Sequence, residues 1–208
     1  MNNWKIFFKN KSDKIRIIIT VVFLFIIFIF FTKFLLYVES RDGVAFQDPV
    51  HKLNNAIDLN VYIFIIIYLS IITGFIGLVK YPDLLIKAVQ TYILMVIFRT
   101  IFMFLLPLNP PPGTIDLNDP FIFILGTGQK ITKDLFFSGH VSTLFILFLS
   151  AKNKILKYIF LISTILVGLM VIIQKNHYTI DVLVAPFVVY SAWKIVSKIN
   201  LQERSIKK

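Results

Sequence analysis

The residues in this chain best suited to chemistry are two histidines, each heading an apolar segment. His177 opens the run His177-Tyr178-Thr179-Ile180-Asp181. Residues four apart on a helix lie one above the other, which puts the Asp181 carboxylate within reach of the His177 imidazole. An aspartate that fixes the tautomer of a histidine and stabilises its charged form is what phosphoryl or acyl transfer asks of a nucleophile or base. The same pair also suits a plainer role, an interfacial histidine beside an aspartate that complements a helix N-terminus. The second histidine follows a small-residue turn, in Asp134-Leu135-Phe136-Phe137-Ser138-Gly139-His140. The chain has only three histidines, and two of them start apolar segments beside Gly, Ser or Asp, a placement that chance rarely produces.

Composition says what must hold these side chains. With 208 residues, 57% hydrophobic content, 22 Phe and a mean hydropathy of +0.81, the apolar surface exceeds what one soluble core of this size could hide. The chain therefore reads as a polytopic membrane protein, all-α, with the lipid bilayer as its solvent. A net charge of +11 would point to nucleic acid in a soluble chain; here an asymmetry of the loops accounts for it, and no nucleic-acid partner is expected. Without cysteine there is no disulfide, thiolate metal site or cysteine nucleophile. The three histidines and scattered aspartates have no zinc-type spacing, so neither a metal nor another cofactor is expected.

Six apolar segments are each read as a span of the hydrocarbon core, for which about 20 residues are needed. They run over 15–37, 59–79, 84–106, 135–151, 155–173 and 178–196. The first is too long for a cleaved signal peptide and no small-x-small site follows it before Glu39, so it reads as an uncleaved helix. Gly74 and Gly77 in the second span suit close helix packing. The link Lys80-Tyr81-Pro82-Asp83 permits only a tight antiparallel return. The longest polar piece, 107–133, carries Pro110-Pro111-Pro112-Gly113, Asp116, Asp119 and Gly126-Thr127-Gly128. Connections of this length are usually functional, although the glycine pair is too short to cradle a phosphate. Within it Pro120 to Leu125 suits the membrane surface, and Asp116 and Asp119 read as solvating residues. In the loop between the first two spans, His51 beside Asp48-Pro49 is open to two readings, a residue rimming the site or a solvated loop histidine, and the second is preferred. Together these segments form one six-helix domain over 1–208, with a catalytic core at about 84–196 and basic tails at 1–14 and 197–208. The sequence specifies no oligomeric state.

An even number of spans puts both termini on one side, and the Lys/Arg bias decides which. The N-terminal segment through Arg16, the links at 80–87 and 152–157, and the C-terminal end from Lys194 hold 15 of the 22 basic residues against three acids. Those parts are expected to be cytoplasmic, which places His140, His177 and Asp181 on the exoplasmic face. Arg99 lies inside the third span, roughly 10 Å from its outer end at 1.5 Å per residue. An arginine near the bilayer centre costs about 2.5 to 3.5 kcal/mol if it faces lipid, so it should face the bundle and a partner. That partner is either a carboxylate, Asp181 or a loop aspartate, or a substrate phosphate gripped by the planar guanidinium.

Two histidines, an aspartate supporting one of them and a buried arginine suit phosphoryl transfer through a phosphohistidine. One imidazole attacks phosphorus, the other protonates the leaving oxygen, and the guanidinium stabilises the equatorial oxygens. A site between spans at the membrane interface selects a lipid whose head group stays at the polar surface.

Ser138-Gly139-His140, followed by His177-x-x-x-Asp181, resembles the type 2 phosphatidic acid phosphatase superfamily. Asp134 to His140 and His177 to Ala185 are more specifically similar to the third and fourth motifs of its sphingomyelin synthase branch. The segment from Arg99 through Met103 to Leu106-Pro107 is a looser match to the preceding motif. The resemblance spans most of residues 99–186. It implies that His177 is the nucleophile, Asp181 its orienter and His140 the acid, while Arg99, Asp134, Ser138 and Gly139 bound the substrate site; for Asp134 a helix-start role is equally open. Two departures bear on the substrate. The broader phosphatase pattern has an arginine where this chain has Val171, and an Arg-Pro element where it has Arg99-Thr100. An incomplete phosphate clamp favours a phosphodiester over a phosphomonoester. The expected activity is then transfer of a phospho-head group from a phospholipid to a lipid alcohol such as ceramide or diacylglycerol, with lipid phosphate hydrolysis as the alternative. A non-catalytic transporter or assembly factor would have no use for an intact His140, His177 and Asp181.

Overall fold

A computed structural model of the chain describes residues 2–53, 55–117 and 128–205. Seven helices are found among them: α1 (Asn2–Phe7), α2 (Lys11–Ser40), α3 (Asn60–Leu78), α4 (Pro82–Leu105), α5 (Gly139–Ser150), α6 (Lys154–Ile173) and α7 (Thr179–Ser205). A single 3₁₀ turn occupies Val50–Lys52. Helices α2, α3, α4, α6 and most of α7 are long and apolar enough to cross a membrane, and α5 is a shorter apolar helix. The architecture is the expected all-α membrane bundle. Pro120 to Leu125, Asp119, Gly126 and Thr127 lie outside the described residues.

Local chemistry explains most helix starts. Asn10 accepts the Ser12 N–H at the head of α2, Pro82 occupies the first turn of α4, and Asn153 accepts from both Ile155 N and Leu156 N on α6. Helix α6 stops in a Schellman turn. Lys175 takes φ 57°, its N–H bonds to Ile172 O at 3.0 Å, and Asn176 N–H bonds to Val171 O at 3.0 Å.

Helix α4 is the most enclosed span, with 39% of its apolar window buried against 11% for α2, which lies at the lipid-facing edge. Short α5 lies between two apolar clusters. One joins Met95 and Val96 of α4 to Val141, Ile146, Ala185 and Val189; the other joins Ile63 and Ile67 of α3 to Leu144, Val167 and Val171. A Cβ on Gly74 would stand 2.7 Å from Leu147 Cδ2, so the missing side chain lets α3 close on α5.

The sequence reading starts the fourth span at Leu135, but helix begins only at Gly139. Residues 134–138 are pulled out of helical geometry: Phe136 has φ 39°, and Arg99 bonds both the Asp134 carboxylate and the Phe137 carbonyl. Twelve residues at 1.5 Å each extend about 18 Å. The first turn of α5 touches Arg99, six residues short of the α4 terminus, and is therefore recessed about 9 Å into the bundle.

Hydrogen bonds between connections fix the end of the bundle that carries the histidines. Gln174 is fully buried; its Oε1 accepts Leu59 N at 3.0 Å and its Nε2 donates to Asn60 Oδ1 and Ile115 O, each at 3.1 Å. A parallel bridge joins Val44 to Leu108. At the opposite end α1, which the sequence reads as part of a basic tail, docks by Asn3 Nδ2 donating to Lys80 O at 2.8 Å and Trp4 Nε1 to Val79 O at 2.5 Å. Arg16 pairs there with Asp83 at 2.5 Å.

Gln174→Ala leaves a buried N–H and two buried acceptors without their partner and should cost about 2 kcal/mol or more. Thermal unfolding in detergent measures it; an unchanged midpoint would mean that the latch contributes nothing.

Candidate active site

The site is assembled from the starts of α5 and α7. His177 lies just outside α7, between the Schellman turn and Thr179, so its contact with Asp181 spans the helix start instead of lying within a helix. The expected pairing is present: His177 Nδ1 lies 3.3 Å from Asp181 Oδ2, with the two residues 2% and 0% exposed. The same oxygen accepts the Tyr178 N–H at 3.2 Å. Asp181 thus orients the imidazole and caps the helix that carries it, combining the two roles open from sequence. With Nδ1 turned to the carboxylate, Nε2 is the ring nitrogen left for chemistry.

Helix α5 starts on Ser138, whose N–H donates to Asp181 O at 3.1 Å. That bond joins the two helix starts. His140 follows in the first turn of α5, edge-on to the Phe64 ring of α3 at 6.2 Å between centroids. Ser138 Oγ and Asp181 Oδ1 are buried side-chain oxygens with no hydrogen-bond partner in the protein.

Arg99 faces the bundle, as its charge requires, and is 5% exposed. Of the partners open to it from sequence, it takes a loop aspartate: Nη2 bonds Asp134 Oδ1 at 2.5 Å, and Nε donates to Phe137 O at 3.1 Å. The Phe31 ring of α2 covers the guanidinium at 5.4 Å. Gly139 lies against it so closely that a Cβ there would stand 2.3 Å from Nη1 and 2.8 Å from Cζ. Arg99, Asp134, Ser138 and Gly139 therefore come together as one brace behind the His140 turn.

Three residues around His177 were not marked as site residues by the sequence. Asp48 is 5% exposed and accepts the Thr179 N–H at 2.6 Å through Oδ2 and the Val50 N–H at 2.9 Å through Oδ1. It caps α7 from a loop 131 residues away. Burial would raise its pKa, but these hydrogen bonds and His51 outweigh that and hold it below the ordinary value. Tyr178 is fully buried, stacks on Phe46 at 3.8 Å and donates its hydroxyl to Asn109 O at 2.9 Å.

His51 corrects an expectation. It is no solvated loop residue but 7% exposed, held 6.2 Å from the Tyr178 ring, because Asp48 folds its loop over the head of α7. Burial lowers its pKa; Lys175 acts in the same direction, against Asp48, the His177 backbone and Asp181. Asp116 is likewise partly enclosed, in an ion pair with Lys130. The only hint in sequence was the Asp48-Pro49 step, a turn signal that does not say where the turn docks.

Two predictions follow from this geometry. Gly139→Ala must displace the guanidinium and should lower turnover on the order of 10²-fold, in protein that still elutes as native; full activity would show that the packing is slack. A His51 pKa below the unfolded value of about 6.5 means that acid favours unfolding. Its contribution to stability is intact above about pH 6.5 and is lost as pH falls toward the folded pKa. Thermal midpoints at pH 7.5 and 5.5 should therefore converge in His51→Asn relative to the native chain; an identical acid loss in both would contradict the assignment.

No curated protein matches the chain. Residues 133–199 match the family model described as PAP2 superfamily C-terminal. The matched segment contains Asp134, Ser138, Gly139, His140, His177 and Asp181.

Proposed function

We propose that this chain is a membrane lipid phosphotransferase that moves a phospho-head group from a phospholipid to a lipid alcohol, ceramide or diacylglycerol, through a phosphohistidine. The family match supports lipid phosphatase or phosphotransferase chemistry. The observation that carries the mechanism is His177 Nδ1 held at 3.3 Å from the buried Asp181 carboxylate. In the first step His177 Nε2 attacks phosphorus and a P–N bond forms. The P–O bond to the departing lipid alcohol breaks, and His140 gives that oxygen its proton. Asp181 offsets the positive charge that grows on the ring. In the second step the hydroxyl of the acceptor lipid attacks phosphorus, His140 takes its proton, and the P–N bond breaks. The positive-inside bias supports an exoplasmic site for these steps, with both termini in the cytoplasm. One domain over the whole chain serves the site.

A phosphodiester substrate is preferred because cationic groups for a doubly charged phosphate are few. Val171 occupies the position where the phosphatase pattern has an arginine, and it is fully buried among Ile63, Ile67 and Leu144. Arg99 is engaged with Asp134 and the Phe137 carbonyl, which makes it a brace for the substrate site more than a free clamp.

Purified protein incubated with a head-group-labelled phospholipid should label an added lipid alcohol, and His177→Ala should abolish this, since acid–base and nucleophilic groups each contribute about 10²-fold or more. Inorganic phosphate as the sole product from a lipid monophosphate would instead establish the phosphatase.

A further inference from the structure

We propose that the end of the bundle remote from His177 carries a binding site for an anionic phospholipid. A cavity of about 370 Å³ opens there between the C-terminal end of α3 and the N-terminal end of α6, within the size range of small-ligand sites. It lies against Gly77, some 17 residues and roughly 25 Å along α3 from Asn60 and the Gln174 latch. It is therefore separate from the site described above and does not depend on the reaction proposed for it.

The walls and mouth of the cavity differ in chemistry. Ile76, Leu156 and Phe160 form apolar wall, and the two exposed ammonium groups of Lys80 and Lys152 stand among its lining residues. Gly77 keeps the wall thin, since a Cβ there would stand 3.1 Å from Leu156 Cδ1. Lys152 is held over the Tyr81 ring with Nζ 4.3 Å from the centroid. Among the described residues no acid lines the cavity, and Asp83, the acid of the α3–α4 link, is paired with Arg16 at 2.5 Å. The α6 N-terminus is not invoked as an anchor, because Asn153 already accepts two of its N–H groups, those of Ile155 and Leu156. Two lysines that form no ion pair among the described residues, beside apolar wall, match a phosphate head group with its glycerol and upper acyl carbons. Ile155, Ile159 and Ile162, all exposed on α6, continue the apolar track toward the midplane for the rest of the chain. A free phosphate would have no use for those walls, and a zwitterionic head group would bring its own cation against the lysines.

Native mass spectrometry of the full-length protein, delipidated and then titrated with phosphatidylglycerol or phosphatidylcholine, tests this. The native chain should retain phosphatidylglycerol in preference, and inorganic phosphate at millimolar concentration should not displace it. Lys80→Gln/Lys152→Gln should weaken retention roughly 30-fold, whereas Lys11→Gln/Lys14→Gln, which removes the same charge from the same end outside the cavity, should change it little. Equal retention of both lipids, displacement by inorganic phosphate, or equal losses in the two double variants would each overturn the proposal. All four lysines are exposed, and the lipid preference of the unaltered chain is a test that needs no variant.

Discussion

A guanidinium buried in an apolar bundle persists only if its donors are satisfied, because a charge left unpaired there costs several kcal/mol. Arg99 meets that condition by taking the Asp134 carboxylate and the Phe137 carbonyl. Meeting it draws residues 134–138 into the bundle and out of helical geometry, which delays α5 until Gly139. Only a residue without a side chain fits at that point, since any Cβ would overlap the guanidinium. The recessed start of α5 then presents the Ser138 N–H to Asp181 O. One buried charge thus sets the depth of the His140 turn and couples it to the helix beside His177.

The head of α7 depends on two carboxylates, one of its own and one from a distant loop. Tyr178 N–H is taken by Asp181 and Thr179 N–H by Asp48. Because Asp181 Oδ2 serves both the ring of His177 and the backbone of Tyr178, the tautomer of the histidine and the start of its helix are fixed by one oxygen. The loop carrying Asp48 and His51 is closed over this point by the Phe46–Tyr178 stack. Rigidity at this point is useful to any reaction proposed there, since geometry lost by an ångström removes much of the benefit of proximity.

The two ends of the bundle are built differently. The end with the histidines is tied by buried hydrogen bonds among its connections, with Gln174 linking α3, α6 and the loop at Ile115. The other end is held by the docking of α1 and by Arg16–Asp83, and it gathers most of the positive charge. Such a division separates a site that must hold its groups in place from a surface that meets charged lipid.

The sequence by itself determined the fold class, the positions of the five long spans, the pairing of His177 with Asp181 and the need for Arg99 to face inward. Each follows from composition, from a periodicity or from a spacing of a few residues. Only the tertiary structure decided that Asp134 and not Asp181 receives Arg99, that α5 starts at Gly139 and not Leu135, and that Asp48 and His51 belong to the head of α7. Spacing along a chain limits which neighbours a residue can reach, but the choice among distant carboxylates is made by where packed helices leave a buried charge or a free N–H. That choice exists only once the helices have met.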